Sequence, residues 1–173
     1  RYSQVTGFLA GTSTPGITSD AWAYDGAFLR ESPRFDTRAK FTNVGSGFNP
    51  EVGFLRRTAF RRNYASARFS PRPRGSGAIR RHVFETEFDH ITGTDGVLET
   101  REAKVAYRME FNNNDQWGID FSRNYEFLRE GFTIVPGQRI GAGAYHFGDV
   151  RGTYVFGPQR RLSGSVSGAH GTF

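Results

Sequence analysis

Polar and apolar residues alternate with a period of two over long stretches of the chain. The clearest example runs from Val97 to Phe111, although Glu99 and Arg101 interrupt its start. One side of the run carries Val97, Ala103, Val105, Tyr107, Met109 and Phe111, and the other carries Thr100, Glu102, Lys104, Arg108 and Glu110. Successive side chains of a β-strand point to opposite faces, whereas a helical face repeats about every 3.6 residues. The run therefore predicts a long β-strand with one apolar and one charged face.

The same alternation recurs along the chain and predicts an all-β fold. About nine strands are expected, at Tyr2–Gly11, Asp20–Arg30, Phe35–Thr42, Phe60–Ser70, Ile79–Ile91, Val97–Phe111, Gln116–Phe127, Ala144–Phe156 and Arg161–His170. The clearest runs reach about ten residues or more, whereas about 5–6 residues is usual in soluble sheets and about 9–11 residues cross a bilayer. We expect an antiparallel up-and-down meander forming one domain over residues 1–173, either a membrane β-barrel or a portion of one.

Two kinds of connection separate the predicted strands. Short turns are expected at Ser32-Pro33 and Asn112–Asp115, and longer connections at Val44–Arg57 and Arg129–Gly143. Barrels of the outer membrane have short turns at one end and longer loops at the other. The connections therefore favour a membrane barrel.

One turn also predicts a register between two strands. Asp95-Gly96 is a strong signal for a two-residue hairpin loop. With this loop, Glu87 lies opposite Lys104, and Arg81 lies opposite Glu110. Opposite charges that face each other across two strands contribute about 0.2–1 kcal/mol per pair. The register also keeps the charged residues of both strands on one face.

Composition narrows the classes of protein that fit this pattern. Hydrophobic residues make up 36% of the chain and aromatic residues 15%, so a chain that is polar on average is still rich in aromatic rings. Membrane strands have this composition because one face meets lipid and the other meets water. No run approaches the roughly 20 consecutive apolar residues of a spanning helix, which excludes a helical membrane protein. The absence of cysteine excludes disulfide frameworks and cysteine-based zinc sites.

Eleven charged residues on the polar sides of the predicted strands form the candidate site. Arginine or lysine on a lipid-facing surface costs roughly 2–4 kcal/mol at the bilayer midplane, so these side chains should point into a lumen, where opposite charges pair. They are Asp36, Arg38, Lys40, Glu85, Glu87, Asp89, Glu102, Lys104, Arg108, Glu110 and Asp120. Aromatic residues near strand ends or on apolar sides suit girdles at the membrane surfaces: Trp22, Tyr24, Tyr107, Phe111, Trp117, Tyr125, Phe127, Tyr145, Phe147, Tyr154 and Phe156. The alternative is a soluble barrel whose aromatic residues fill its core and whose charges lie outside.

Patterns that would support catalysis or cofactor binding are weak. His82 and His90 share one side of a predicted strand, but a separation of eight residues is too long for a shared metal ion. Glu85, Glu87 and Asp89 line one side, as acid–base or calcium chemistry requires, although salt bridges to the next strand are the simpler explanation. We therefore expect no enzyme, no cofactor and no metal site, and we retain a hydrolase built on this carboxylate row as an alternative.

The positive charge of the chain has two interpretations. The formal net charge is +6, and arginine pairs recur at Arg56-Arg57, Arg61-Arg62, Arg80-Arg81 and Arg160-Arg161. Basic residues interleaved with aromatic residues can bind nucleic acid. In a barrel the same pairs would lie at the membrane rim and meet anionic head groups. We expect outer-membrane lipid or lipopolysaccharide as a partner, and no nucleic acid.

One segment resembles a known family. The stretch Phe48-Asn49-Pro50-Glu51-Val52-Gly53-Phe54-Leu55-Arg56-Arg57 is similar to a signature of a large uncharacterised bacterial outer-membrane family, in which a carbohydrate-binding family 9-like domain precedes a C-terminal β-barrel. Flanking stretches at Arg68–Pro73, Gly96–Glu102 and Arg160–Ser165 resemble that barrel as well. The resemblance implies an outer-membrane β-barrel and supplies no activity.

These observations lead to a functional expectation. The chain begins at Arg1 without a signal segment, and members of the family continue beyond the position of Phe173, so we expect a portion of a barrel. A terminal phenylalanine is also the usual end of an outer-membrane strand, which keeps a genuine C-terminus open. We expect a non-enzymatic segment of a bacterial outer-membrane barrel, acting as a pore, an anchor or a structural component. Missing barrel strands or other envelope proteins would pair with its edges. The alternative is a soluble antiparallel barrel that binds a ligand or polyanion.

Overall fold

The computed structural model describes residues 1–17, 19–50, 57–75 and 77–172, and in these residues the only regular structure is β. The strands are β1 (Tyr2–Gly11), β2 (Trp22–Glu31), β3 (Phe35–Val44), β4 (Phe60–Phe69), β5 (Ile79–Gly93), β6 (Leu98–Phe111), β7 (Gln116–Leu128), β8 (Phe132–Val135), β9 (Gln138–Ile140), β10 (Gly143–Phe156) and β11 (Gly164–Thr172). Among the described residues, no helix is long and apolar enough to span a membrane.

Nine of the strands form one antiparallel sheet. Its order is β1-β2-β3-β4-β5-β6-β7-β10-β11, so each strand pairs with the next long strand along the chain. This confirms the predicted up-and-down meander of about nine long strands. The sheet is open, since β1 and β11 are its edges and do not pair with each other in the part of the chain that the structure describes.

A small hairpin lies in the connection between β7 and β10, where the sequence predicts only a loop. Strands β8 and β9 pair with each other and form a separate two-stranded sheet. Gly137 has a positive φ of 89°, a conformation that glycine adopts without strain and that reverses the chain between the two short strands. The alternating run is too short to stand out in the sequence.

The predicted register between β5 and β6 is confirmed. Glu87 pairs with Lys104, and Arg81 pairs with Glu110. The loop itself differs from the predicted two-residue loop. The Gly93 amide donates a hydrogen bond to the Val97 carbonyl (2.9 Å), so three residues lie between the bonded pair. Gly96 has φ of 85°, as expected for a three-residue loop that ends in a left-handed residue. A register shift between Ile91 and Thr92 then restores the predicted pairing.

Connections of different length occupy the two ends of the sheet. One end, here called the long-loop end, carries the connections at 12–21, 45–59, 94–97 and 129–142. The opposite end, the short-loop end, carries those at 32–34, 70–78, 112–115 and 157–163. The longest connections thus all lie at one end, as the sequence predicts.

The sheet has almost no hydrophobic core. Only Ala23, Val44 and Val83 are buried hydrophobic residues among those described. Many large hydrophobic side chains are exposed instead, including Val105 (57%) and Phe121 (53%). Burial of apolar surface is the main driving force for folding in water. The sheet by itself therefore gains little stabilisation from the burial of apolar side chains.

Candidate functional site

The two faces of the nine-stranded sheet differ sharply in composition. Alternate residues of a strand share a face, and residues paired across antiparallel strands lie on the same face. Glu85 pairs with Arg68 on β4, which pairs with Asp36 on β3. We call the face that carries these three residues the charged face. The opposite face carries Phe84 and its partners Phe69 and Tyr107, and we call it the apolar face.

All eleven residues of the candidate site lie on the charged face. The register through β3, β5, β6 and β7 brings together Asp36, Arg38, Lys40, Glu85, Glu87, Asp89, Glu102, Lys104, Arg108, Glu110 and Asp120. They come from four strands, β3, β5, β6 and β7, which form one continuous part of the sheet together with β4.

Residues of seven neighbouring strands, from β2 to β10, line one cavity on the charged face, so we infer that this face is concave. A cavity of about 770 Å³ lies on this face and reaches from Leu29 on β2 to Asp149 on β10. Eight residues of the candidate site line it: Asp36, Arg38, Glu85, Glu87, Glu102, Lys104, Arg108 and Asp120. Lys40, Asp89 and Glu110 lie on the same face beyond the cavity.

Ion pairs cross the charged face from strand to strand. The Lys40 ammonium lies 2.9 Å from the Asp25 carboxylate and joins β2 to β3. Further cross-strand pairs are Arg68 with Asp36, Arg62 with Asp89, Arg108 with Glu85, and both Arg80 and Arg81 with Glu110. Neighbouring strands from β2 to β6 are therefore linked by opposite charges, which contribute about 0.2–1 kcal/mol per pair.

Lys104 departs in detail from the predicted pairing. Its backbone lies opposite Glu87, but its ammonium makes its closest ion pair with Glu102 on the same strand, at 3.3 Å. Arg38 and Asp120 form no ion pair within the described residues. The cavity therefore contains both neutralised and free charges.

The carboxylate row on β5 is held largely by arginines. Glu85 pairs with Arg108, and Asp89 accepts hydrogen bonds from Arg62 Nε (2.9 Å) and from its terminal nitrogen (2.6 Å). Among the described residues, no group of His, Asp and Glu side chains is arranged to hold a metal ion. The row serves as one side of the ion-pair system.

Some residues of the charged face were not predicted from the sequence, and two aromatic residues were predicted on the wrong face. The ion pairs also involve Asp25, Arg62 and Arg68. Extending the alternation of side chains to β2 and β4 would have placed these three residues on the charged face. Tyr145 and Phe147 lie on the charged face, opposite Glu126 and Asn124, and not with the apolar-face aromatics. Aromatic residues occur at both odd- and even-numbered positions of β10, so the alternation along this strand does not show which face is apolar.

Asp115 anchors the short-loop end. Its side chain is 1% exposed and accepts hydrogen bonds from Arg160 Nε, the Gly157 amide and the Tyr154 hydroxyl, each at 2.8 Å. These contacts tie the β6–β7 turn to the β10–β11 connection. The Arg160 guanidinium and then the Gly157 amide hold the pKa of the Asp115 carboxyl far below its usual value. The sequence marks Asp115 only as part of a turn.

A second ion-pair cluster lies at the long-loop end. Arg129 contacts Asp95 at 2.8 Å and Glu99 at 2.7 Å, and Arg57 approaches Glu99 at 3.5 Å. The hydrogen bond from Arg129 lowers the pKa of Asp95. This cluster ties the β5–β6 turn to the β3–β4 and β7–β10 connections.

The family-signature loop is described only in part. Phe48, Asn49 and Pro50 are described, and the Asn49 amide donates to Thr12 Oγ1 at 3.1 Å, which joins this loop to the β1–β2 connection. Glu51, Val52, Gly53 and Phe54 lie outside the described residues.

The apolar face has aromatic and polar residues toward both ends and, apart from Phe121, a row of smaller or aliphatic residues between them. Near the short-loop end, His82 Nδ1 lies 2.7 Å from the Tyr107 hydroxyl, and Tyr107 meets Trp117 edge to face. Toward the long-loop end, Arg101 lies over Tyr125 at 5.8 Å. A row between these bands contains Thr37, Ala67, Thr86, Val105, Phe121 and Val150.

Comparisons of the chain with protein-family models, with curated proteins and with solved structures find no match. The interpretation of the site therefore depends on its own geometry and chemistry.

Proposed function

We propose that this chain is part of the wall of a bacterial outer-membrane β-barrel, in which the charged face lines a water-filled lumen and the apolar face contacts lipid. The observation that carries the proposal is the distribution of large hydrophobic residues. Those exposed on the nine strands lie mainly on the apolar face, and the exceptions are Tyr2, Phe8, Tyr145 and Phe147. A monomeric soluble protein rarely exposes a contiguous apolar surface of this extent.

The curvature of the sheet supports the same proposal. A small soluble barrel fills its interior with apolar side chains, because its concave face is its core. Here the concave face carries the ion pairs, and the register places Phe84, Val105 and Phe121 on the opposite face. Membrane barrels have this arrangement, with an apolar exterior and a polar interior.

The two bands on the apolar face support an orientation across a bilayer. His82 and His90 lie on this face of β5, one in each band, and their separation of eight residues corresponds to about 26 Å along the strand. Tilting by roughly 40° shortens this to about 20 Å along the barrel axis, close to the roughly 25 Å apolar band of outer-membrane barrels. In such barrels the longer loops face outward from the cell, so we assign the long-loop end to the outer surface.

The edges of the sheet require partners in this proposal. Unpaired backbone groups cost several kcal/mol each in hydrocarbon, so a sheet in a membrane must close. Strands β1 and β11 would pair with further barrel strands, either of the same polypeptide or of another envelope chain. The wall would then serve as part of a pore, an anchor or a structural component, with no catalytic role.

Extraction of the full chain from membranes tests the proposal. The chain is expected to remain in the membrane fraction after an alkaline wash and to enter solution only with detergent. A chain that is monodisperse in buffer without detergent would contradict the proposal.

A second candidate is a soluble antiparallel barrel that binds a ligand. The cavity of about 770 Å³ favours it, since small-molecule sites usually enclose about 300–1,000 Å³. A polyanion would meet the unpaired Arg38, and retention on heparin should then fall as salt rises. Absence of retention at low salt would remove the polyanion form of this candidate.

A further inference from the structure

Basic side chains cluster on the apolar face toward the long-loop end. The Arg101 guanidinium lies 5.8 Å from the ring centre of Tyr125, and the His146 ring lies 4.9 Å from the same ring. Arg123 is two residues from Tyr125 on β7 and is diagonal to both Arg101 and His146 in the register. Diagonal neighbours are about 7–8 Å apart, within reach of long side chains. These residues therefore form one compact basic patch.

Among the described residues, no carboxylate forms an ion pair with this patch. Within the described ranges, neither Arg101 nor Arg123 forms an ion pair. Arg123 is exposed, and its partners on both neighbouring strands, Ala103 and Gly148, have little or no side chain. Its guanidinium is therefore accessible from the apolar side of the sheet.

A groove of about 460 Å³ adjoins the patch. Arg123 and His146 line it toward the long-loop end, and Phe121 and Val150 line it toward the middle of the sheet. Ser122, Phe147 and Asp149 also border the groove but lie on the charged face, where the Ser122 hydroxyl donates to the Asp149 carboxylate. The groove thus has basic side chains at one end, and Phe121 and Val150, with His170 beside Val150, toward the other.

This arrangement has a physical cost in a bilayer unless an anion is present. An arginine that faces lipid below the interface is unfavourable, and a long side chain relieves this by extending its charged head toward the head groups. A phosphate near that head accepts charge-assisted hydrogen bonds from guanidinium groups, which are stronger than neutral ones.

We propose that Arg101, Arg123 and His146 bind the phosphate group of an anionic lipid in the leaflet at the long-loop end, with an acyl chain along Phe121 and Val150. The site rests on the proposed membrane location. It differs from diffuse attraction to a charged membrane, because it places one phosphate on named side chains at one end of the apolar face.

Native mass spectrometry of the full chain in a neutral detergent tests this site, with phosphatidic acid as the probe and phosphatidylcholine as the reference lipid. The chain should retain phosphatidic acid in preference to phosphatidylcholine. Arg123→Gln should weaken that retention about fivefold, and the double variant Arg101→Gln/Arg123→Gln about thirtyfold. The matched control is Arg30→Gln, which should leave retention unchanged. Arg30 is exposed at the short-loop end of the same face and forms no ion pair with any residue that the structure describes.

The outcomes separate the site from the membrane proposal. Insertion into vesicles without preference for phosphatidic acid would overturn the site alone, as would equal weakening by Arg30→Gln. Displacement of the lipid by an equal concentration of inorganic phosphate would show that phosphate without an acyl chain suffices, and would also overturn it. A chain that remains in the aqueous phase would overturn both.

Discussion

Replacing Val105 with arginine places a charge in the middle of the apolar face. Val105 is 57% exposed and lies four residues from Arg101 in one band and four from Met109 in the other. If this face meets lipid, an arginine at the bilayer midplane costs roughly 2–4 kcal/mol. If it meets water, a surface substitution changes the free energy of unfolding by only about 0.5 kcal/mol.

Ala106→Arg is the matched control. Ala106 is the next residue of β6 and lies on the charged face, where it pairs with Glu85 and Asp120. An arginine there would meet two carboxylates, so we expect a change in the free energy of unfolding within about 1 kcal/mol.

Guanidinium unfolding of the chain folded into phosphatidylcholine vesicles measures both effects, with the two native tryptophans as the fluorescent probe. We expect Val105→Arg to lower the unfolding midpoint strongly and Ala106→Arg to leave it nearly unchanged. Equal midpoints for Val105→Arg and the unsubstituted chain would refute the assignment of this face to lipid.

Three further predictions concern the framework of the sheet. Asp115→Asn should destabilise the chain at neutral pH. Because folding lowers the pKa of Asp115, the stabilisation from its carboxylate is present above the ordinary pKa near 3.8 and declines as the pH falls toward the folded value. The urea midpoints of the two chains should therefore converge in acid. Gly148→Val should lower the free energy of unfolding by about 1–3 kcal/mol, because a Cβ at Gly148 would lie 2.5 Å from the backbone of β7. Gly152→Val is the control, since a Cβ there meets open space on the same face. Equal melting temperatures for the two variants would contradict this prediction. A double-mutant cycle on Arg62 and Asp89 should give a coupling of about 1 kcal/mol that weakens in high salt, and a coupling near zero at low salt would exclude the pair as a stabilising contact.

The period of two was sufficient to predict most of the fold. Because a one-residue slip moves every side chain to the other face, a clear alternation fixes both the strand and its faces. This is why Glu85, Lys104 and Arg108 were assigned to one face from the sequence, and why the pairing of Glu87 with Lys104 followed from a single turn.

The remaining features depend on tertiary contacts that the local pattern does not encode. Asp115 is typical of a turn residue, yet its partners Gly157 and Arg160 lie more than forty residues further along the chain. In β10, Phe147 and Phe156 lie on opposite faces, so composition alone could not assign them. The closest partner of Lys104 is set by side-chain rotation, which the register does not determine.

Contact between the apolar face and lipid can be measured directly with the two native tryptophans. Trp22 and Trp117 are exposed on the apolar face, Trp22 at the long-loop end and Trp117 at the short-loop end. In vesicles containing brominated phosphatidylcholine, we expect the fluorescence of both residues to be quenched, most strongly by bromine placed near the head groups, and Trp22→Phe and Trp117→Phe variants resolve the two signals. Full quenching by aqueous iodide with no effect of the brominated lipid would contradict the central claim that this face of the sheet contacts a membrane.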